Sequence, residues 1–273
     1  MVAAWRGWLM GVALAALPLA ACQAAPARAP AAVPVAEAQA LRVLPHDTGA
    51  FTEGLFIDGD TLFESTGMEG RSSLRRVDLE TGRVQAQMNL SAPLFGEGIA
   101  PFTAPDGSRQ ILMLTWRNAV GFRFARDGLA VQGRFTYVGE GWGMTSNGAQ
   151  IIMSDGTDQL RFINGADFTT TRLLRVTANG RPIVNLNELE WVDGEILANI
   201  WLTDRIARID PATGHVKGWI DLSPLRRKMP ALGTDQVANG IAWDAVHRRL
   251  YVTGKEWPAM FQIAWPVAGR RAR

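Results

Sequence analysis

Leu186–Ser223, "LNELEWVDGEILANIWLTDRIARIDPATGHVKGWIDLS", decides the fold. Short runs rich in β-branched and aromatic residues, "LNELEWV", "EILANIW", "IARID" and "KGWIDLS", are set apart by turn signals such as "DGE" and "PATG". No helical period runs through the stretch, so it reads as four strands joined by tight turns.

The same unit recurs along the chain. Runs matching the second strand, "TLFESTG", "QILMLTW", "QIIMSDG", "EILANIW" and "RLYVTGK", begin at residues 61, 110, 150, 195 and 249. The steps of 49, 40, 45 and 54 residues fit the length of a four-stranded propeller blade. Each is preceded by a matching first run: "FTEGLFI", "FGEGIAP", "EGWGMTS", "LNELEWV" and "VANGIAW". A third run follows each, and a fourth such as "QAQMNLS" completes the unit. The fifth repeat stops after its third strand, at "MFQIAWP"; "EAQALRVL" from the N-terminal side can supply the missing outer strand and close the ring. The expectation is an all-β, five-bladed β-propeller over residues 37–268. A two-sheet sandwich is the alternative, and it leaves five aligned units unexplained.

The 273-residue chain is 47% hydrophobic with ten tryptophans, ample for a core, and 28 Lys+Arg against 26 Asp+Glu leave a net charge of only +2. That balance argues against nucleic acid as a partner. Residues 1–22 read as an export signal: Arg6, the apolar "WLMGVALAALPLAA", then small residues. The apolar stretch is too short to span a membrane. Leu19-Ala20-Ala21-Cys22 resembles the lipobox of bacterial lipoproteins, which implies lipidation at Cys22, the only cysteine, and periplasmic attachment to the membrane. Ordinary signal-peptidase cleavage nearby is the other reading. Residues 23–36 form an Ala/Pro-rich tether outside the fold, and 269–273 a basic tail. A closed ring offers no free sheet edge, so a monomer is the default.

In a propeller the first strands line the central channel, and each pairs with the second strand in a hairpin. Stacking the first strands puts Glu53, Glu97, Trp142, Glu188 and Asn239 at one level, with Asn187 beside it. Stacking the second strands puts Gly67, Trp116, Gly156, Trp201 and Lys255 at one level, at the same mouth. Lys255 is one of only three lysines. Tryptophans gathered there with acids point to a ligand, although polar residues at a propeller mouth are often only solvated. A metal-dependent lactonase built on axial acids and asparagines, or a non-catalytic peptide-binding module, would use the same mouth. His46, His215 and His247 fall in unrelated places, and no acid or histidine cluster has ligand spacing, so no metal or other cofactor is called for. "SDGTD" (Ser154–Asp158) reads as a strand-end turn before a calcium loop.

The segments "PHDTGAFTEGL", "FESTGMEGRSSLRRVDLETG", "FGEGIA", "LNELEWVDGEILANIWLTDRIARID", "NGIAWD" and "TGKEWP" resemble the glutaminyl-peptide cyclotransferases of the plant and bacterial type, themselves five-bladed propellers. The resemblance covers almost the whole chain beyond the tether. It implies conversion of an N-terminal glutamine of a peptide or protein to pyroglutamate with release of ammonia. It also implies Glu97 as catalytic acid/base, Lys255 and Asn187 as catalytic helpers, and Phe51, Glu53, Trp116, Trp142 and Trp201 as substrate-holding residues. Family members carry glutamine where this chain has Glu53. Two neighbouring carboxylates oppose joint ionisation, so one stays protonated near neutrality. A protonated Glu53 would then stand in for the amide as a donor. Lys255, Asn187 and the indole N–H groups are the donors expected for the developing oxyanion.

Overall fold

The computed structural model describes residues 1–4, 7 and 32–265. Cys22, most of the apolar leader and the tail at 269–273 lie outside the described residues. Two short strands come first, β1 (Val35–Glu37) and β2 (Ala40–Pro45). Blade one is β3 (Thr52–Asp58), β4 (Thr61–Thr66), β5 (Ser73–Asp78) and β6 (Val84–Asn89). Blade two is β7 (Gly96–Thr103), β8 (Arg109–Thr115), β9 (Val120–Ala125) and β10 (Val131–Thr136). Blade three is β11 (Met144–Ser146), β12 (Ile151–Met153), β13 (Gln159–Ile163) and β14 (Thr170–Arg175), followed by a ribbon, β15 (Thr177–Ala178) and β16 (Arg181–Pro182). Blade four is β17 (Leu186–Val192), β18 (Glu195–Ile200), β19 (Arg205–Ile209) and β20 (Val216–Asp221); one helical turn, α1 (Ser223–Arg226), leads on. Blade five holds β21 (Ala238–Asp244), β22 (Arg249–Gly254) and β23 (Ala259–Ile263).

The ring closes as the repeats require. β2 pairs antiparallel with β23, Val43 opposite Phe261 and Pro45 opposite Ala259, and becomes the fourth strand of blade five. One addition was not foreseen. β1 pairs in parallel with β20, Val35 opposite Trp219, so blade four has five strands and the fold takes Val35 and Ala36 from the expected tether. The reason is local: Pro34 O accepts the Trp219 N–H at 2.9 Å or less and Ala38 N–H reaches Asp221 O, so both ends of the three-residue strand are pinned.

There is no single core. Five apolar clusters occupy the five seams between neighbouring blades, and one explains why the second strands are apolar without alternation. On β8, Ile111 and Met113 pack toward blade one while Leu112 and Leu114 pack toward blade three. A strand buried on both faces reads as a continuous hydrophobic run. At about 25 cal/mol per Å² of apolar surface, a fully buried side chain of this size stabilises its seam by about 2–3 kcal/mol. The inner strands neighbour one another in ring order, which brings their starts to one mouth.

Candidate active site

Four of the five inner strands carry a bulge near that mouth, at Glu53, Glu97–Gly98, Asn187–Glu188 and Asn239–Gly240. Hydrogen bonds just outside the bulges, each between the first and second strands of one blade, mark equivalent positions: Gly67 N–H to Phe51 O, Trp116 to Phe95, Trp201 to Asn185 and Lys255 to Val237. Gly67, Trp116, Trp201 and Lys255 therefore share a level, as expected. Inside the bulges Leu55 (where pairing has resumed one residue earlier, at Gly54), Ile99, Leu189 and Ile241 are equivalent ladder positions, with Met144 at the matching place on β11. Counting back two residues gives Glu53, Glu97, Trp142, Asn187 and Asn239. Asn187, not Glu188, belongs to the first-strand level.

Glu188 lies one step deeper, where the other inner strands have Gly54, Gly98, Gly143 and Gly240. These glycines let neighbouring backbones touch: a Cβ on Gly98 would stand 2.5 Å from the Met144 nitrogen, and one on Gly54 2.7 Å from that of Ile99. Glu188 uses the room they leave. It is fully buried, and its carboxyl accepts the N–H of Ile241 (2.9 Å) on blade five and of Leu55 (3.3 Å) on blade one. Burial, then the neighbouring Glu190, raises it well above the ordinary carboxylate range. It is a clasp between blades.

Above this constriction sit the predicted acids. Glu97 and Glu53 are both buried, 6% and 1% exposed, and bonded side chain to side chain. Lys255 Nζ, also buried, donates to Glu53 Oε1 at 2.7 Å, and Asn239 Nδ2 donates to Oε2 at 3.0 Å. Burial and then the charge of Glu53 push Glu97 well above the ordinary range, with Lys255 opposing. Burial raises Glu53 too, but Lys255, Glu97 and Asn239 all favour its ionised form. The shared proton therefore resides on Glu97, which donates it to Glu53. Glu53 is the acceptor of this cluster rather than the amide-like donor expected from the sequence.

Aromatic rings enclose the acids. Phe51 lies under the Lys255 ammonium at 4.5 Å and meets Phe95 edge-on at 6.1 Å; Phe95 meets Trp116 at 5.6 Å. On the other side Trp142 and Trp201 are edge-to-face at 5.5 Å. Gly67 and Gly156 make the wall possible, since a side chain at either would strike the rings of Phe95 or Trp142. Two indole N–H groups are spoken for: Trp116 and Trp142 donate to Glu140 Oε2 at 2.8 and 2.9 Å. That removes them from the expected oxyanion donors. Asn187 is 3% exposed and its side-chain oxygen is buried without a protein partner, an acceptor open to a donor from a substrate or a water. Phe95 and Glu140 are the members of the site that sequence reasoning missed. Both lie inside the quoted runs "FGEG" and "EGWG", next to residues that were chosen.

Other candidates have settled roles. His46 is held between Trp257 O (2.7 Å) and Glu64 (3.0 Å), and His247 against Asp244 (2.7 Å). In "SDGTD", Asp155 accepts from Thr157 and pairs with Arg161, and Asp158 pairs with Arg175, as in a turn. Among the described residues no group of three or more His, Cys, Asp or Glu could hold a metal ion, and no helix is long and apolar enough to cross a membrane. A cavity of about 340 Å³ lies far from these acids, at the other ends of β7, β8 and β11; Arg109 and Arg126 in its wall are paired with Asp58.

A family model described as glutamine cyclotransferase matches residues 13–265. The chain is 40% identical over 241 residues to the glutaminyl-peptide cyclotransferase of Arabidopsis thaliana, covering 86% of this chain and 73% of that protein. The crystal structure of Myxococcus xanthus glutaminyl cyclase superposes with a TM-score of 0.77 at 34% identity, covering 84% of this chain and 97% of that one.

Proposed function

The chain belongs to the glutamine cyclotransferase family, and from that premise we propose how its residues perform the reaction. The activity is that of a glutaminyl-peptide cyclotransferase: the N-terminal glutamine of a peptide or protein becomes pyroglutamate and ammonia is released. The α-amine attacks its own γ-carboxamide carbon, a five-membered ring closes through a tetrahedral intermediate, and the carbon–nitrogen bond to the leaving amine breaks.

Glu97 is the general acid–base group. It protonates the departing nitrogen and takes a proton from the attacking one, so it ends as it began. The observation that carries this role is its buried carboxyl beside Glu53, whose two oxygens already accept Lys255 and Asn239, so that burial and the Glu53 charge push Glu97 toward its protonated form. Raising Glu97 brings its proton affinity toward that of an α-amine, whose pKa is roughly 7.7, so a proton passes between them at little cost. Lys255 keeps Glu53 ionised and, with Asn187, supplies N–H donors toward the amide oxygen, where negative charge grows. Phe51, Phe95, Trp116, Trp142 and Trp201 confine the side chain in its curled form, which lowers the entropy lost on ring closure. Incubating the protein with a short peptide that begins with glutamine should yield a product lighter by one ammonia. Glu97→Gln should lower the rate about 10²–10⁴-fold with KM little changed. Full activity in that variant would sink the assignment.

We further infer that the chain is exported and held at a membrane through Cys22. The apolar leader and the Leu19-Ala20-Ala21-Cys22 pattern support it. Incorporation of labelled fatty acid in cells, lost in Cys22→Ser, tests it; incorporation that survives the substitution refutes it.

A further inference from the structure

Glu140, in the loop between β10 and β11, joins two indoles of the wall and has been given no role above. Its Oε2 accepts the indole N–H of Trp116 (2.8 Å) and of Trp142 (2.9 Å), and its Oε1 accepts Arg117 Nε at 3.1 Å. The Arg117 guanidinium lies 3.7 Å over the Trp116 ring. Trp116 ends the second strand of blade two and Trp142 leads into the first strand of blade three, so one carboxylate ties two blades together at the mouth.

We propose that Glu140 is a positioning residue for cyclisation, fastening the two indoles of the wall and setting part of the electric field at Glu97. The proposal rests on the reading of Glu97 as the acid–base group. An indole has a single N–H, and a charged acceptor holds it more firmly than a neutral one. With both N–H groups on one oxygen, the tilt of each ring is tied to that of the other. A loose pair would have to be ordered each time a substrate entered.

The field follows from the charges around Glu97. Glu53 reaches it from β3, Lys255 from the end of β22, Glu140 from the β10–β11 loop, and the Tyr137 hydroxyl stands nearby, bonded to Thr115. Glu53 and Glu140 are the anions of this set and both oppose a charge on Glu97; Lys255 favours one. Both members of the Arg117–Glu140 pair are partly exposed, 65% and 37%, so water weakens their mutual pairing and the reach of each, and part of the Glu140 charge is still felt at Glu97.

Two variants separate fastening from field. Glu140→Gln keeps an acceptor oxygen for the indoles and removes the charge. The basic limb of kcat/KM for a glutamine-initiated peptide, where Glu97 loses its proton, should move to lower pH by about 0.5 pH unit, with the plateau within a few-fold of wild type. Glu140→Ala removes both, and the plateau should fall about 10–100-fold. In ¹⁵N spectra, the indole N–H resonances of Trp116 and Trp142, assigned with Trp→Phe variants, should both move upfield in Glu140→Ala. A Glu140→Gln profile that superimposes on wild type overturns the field; indole resonances unmoved in Glu140→Ala overturn the fastening. If the wild-type protein itself made no product, the cyclisation reading would fail instead, and the indole spectra would still judge Glu140.

Discussion

Replacing Glu190 with glutamine isolates one buried charge and asks what it does to the fold. Glu190 lies on β17, 7% exposed, and joins three blades: Oε1 accepts the Trp243 N–H at 2.9 Å, and Oε2 accepts the Thr145 hydroxyl at 3.2 Å. Burial outweighs these bonds and raises the carboxyl from 4.5 to about 8. The folded form thus binds the proton more tightly than the unfolded one. The associated stability is fully present below pH 4.5, shrinks as pH rises, and is gone above about 8. At about 1.4 kcal/mol per pH unit, the whole window is worth about 5 kcal/mol. Glutamine has nearly the same shape and cannot ionise; its oxygen serves Trp243 and its nitrogen faces Thr145, whose hydroxyl can accept. Urea unfolding at pH 5, 6, 7 and 8 should show wild type losing stability faster than Glu190→Gln. The gap should widen toward pH 8 by a few kcal/mol, with m unchanged. Two parallel curves would refute the reasoning, because they would mean that Glu190 ionises as easily in the fold as out of it.

Glu53→Gln removes the second-largest influence raising Glu97, after burial, so the basic limb of the rate profile, where Glu97 loses its proton, should shift to lower pH; an unchanged profile and activity would exclude coupling. Lys255→Met strands a buried Glu53 without its 2.7 Å partner and should cost about 3–5 kcal/mol in chemical denaturation, together with most of the ammonia release. Gly98→Ala forces a Cβ against the Met144 backbone and should cost about 1–3 kcal/mol, whereas Gly133→Ala, where the nearest atom is an Arg123 side-chain carbon at 4.0 Å, should leave the melting temperature nearly unchanged.

The propeller was legible because each blade repeats the same solution to the same packing problem. The apolar second strands and the turn signals keep their order even where the steps between them vary. The bulges were not legible. At the blade-four mouth the letters "NELE" invite alignment of Glu188 with Glu53 and Glu97, yet Asn185 takes the place of Phe51 and Phe95, which puts Asn187 at the acid level. The apolar residue that restarts the ladder, Leu189 beside Leu55 and Ile99, is the better guide, since it must enter a seam while a carboxylate need not. Partnership was hidden too. That Glu140 holds two indoles separated from it by 24 and 2 positions depends on how blades two and three meet, which no local pattern records. Likewise, which of two adjacent acids keeps a proton depends on where Lys255 lands.

The short ladder between β1 and β20 matters for any mechanical load that reaches the domain through its N-terminus. Tension arriving at Pro34 meets Val35–Glu37 before it meets the strand that closes the ring. Three residue pairs would peel from blade four first, lengthening the chain by a few residues while Ala40–Pro45 stays zipped to β23. The closing strand is thus one step removed from the chain that precedes it: the three pairs of Val35–Glu37 stand between Pro34 and the circle of five.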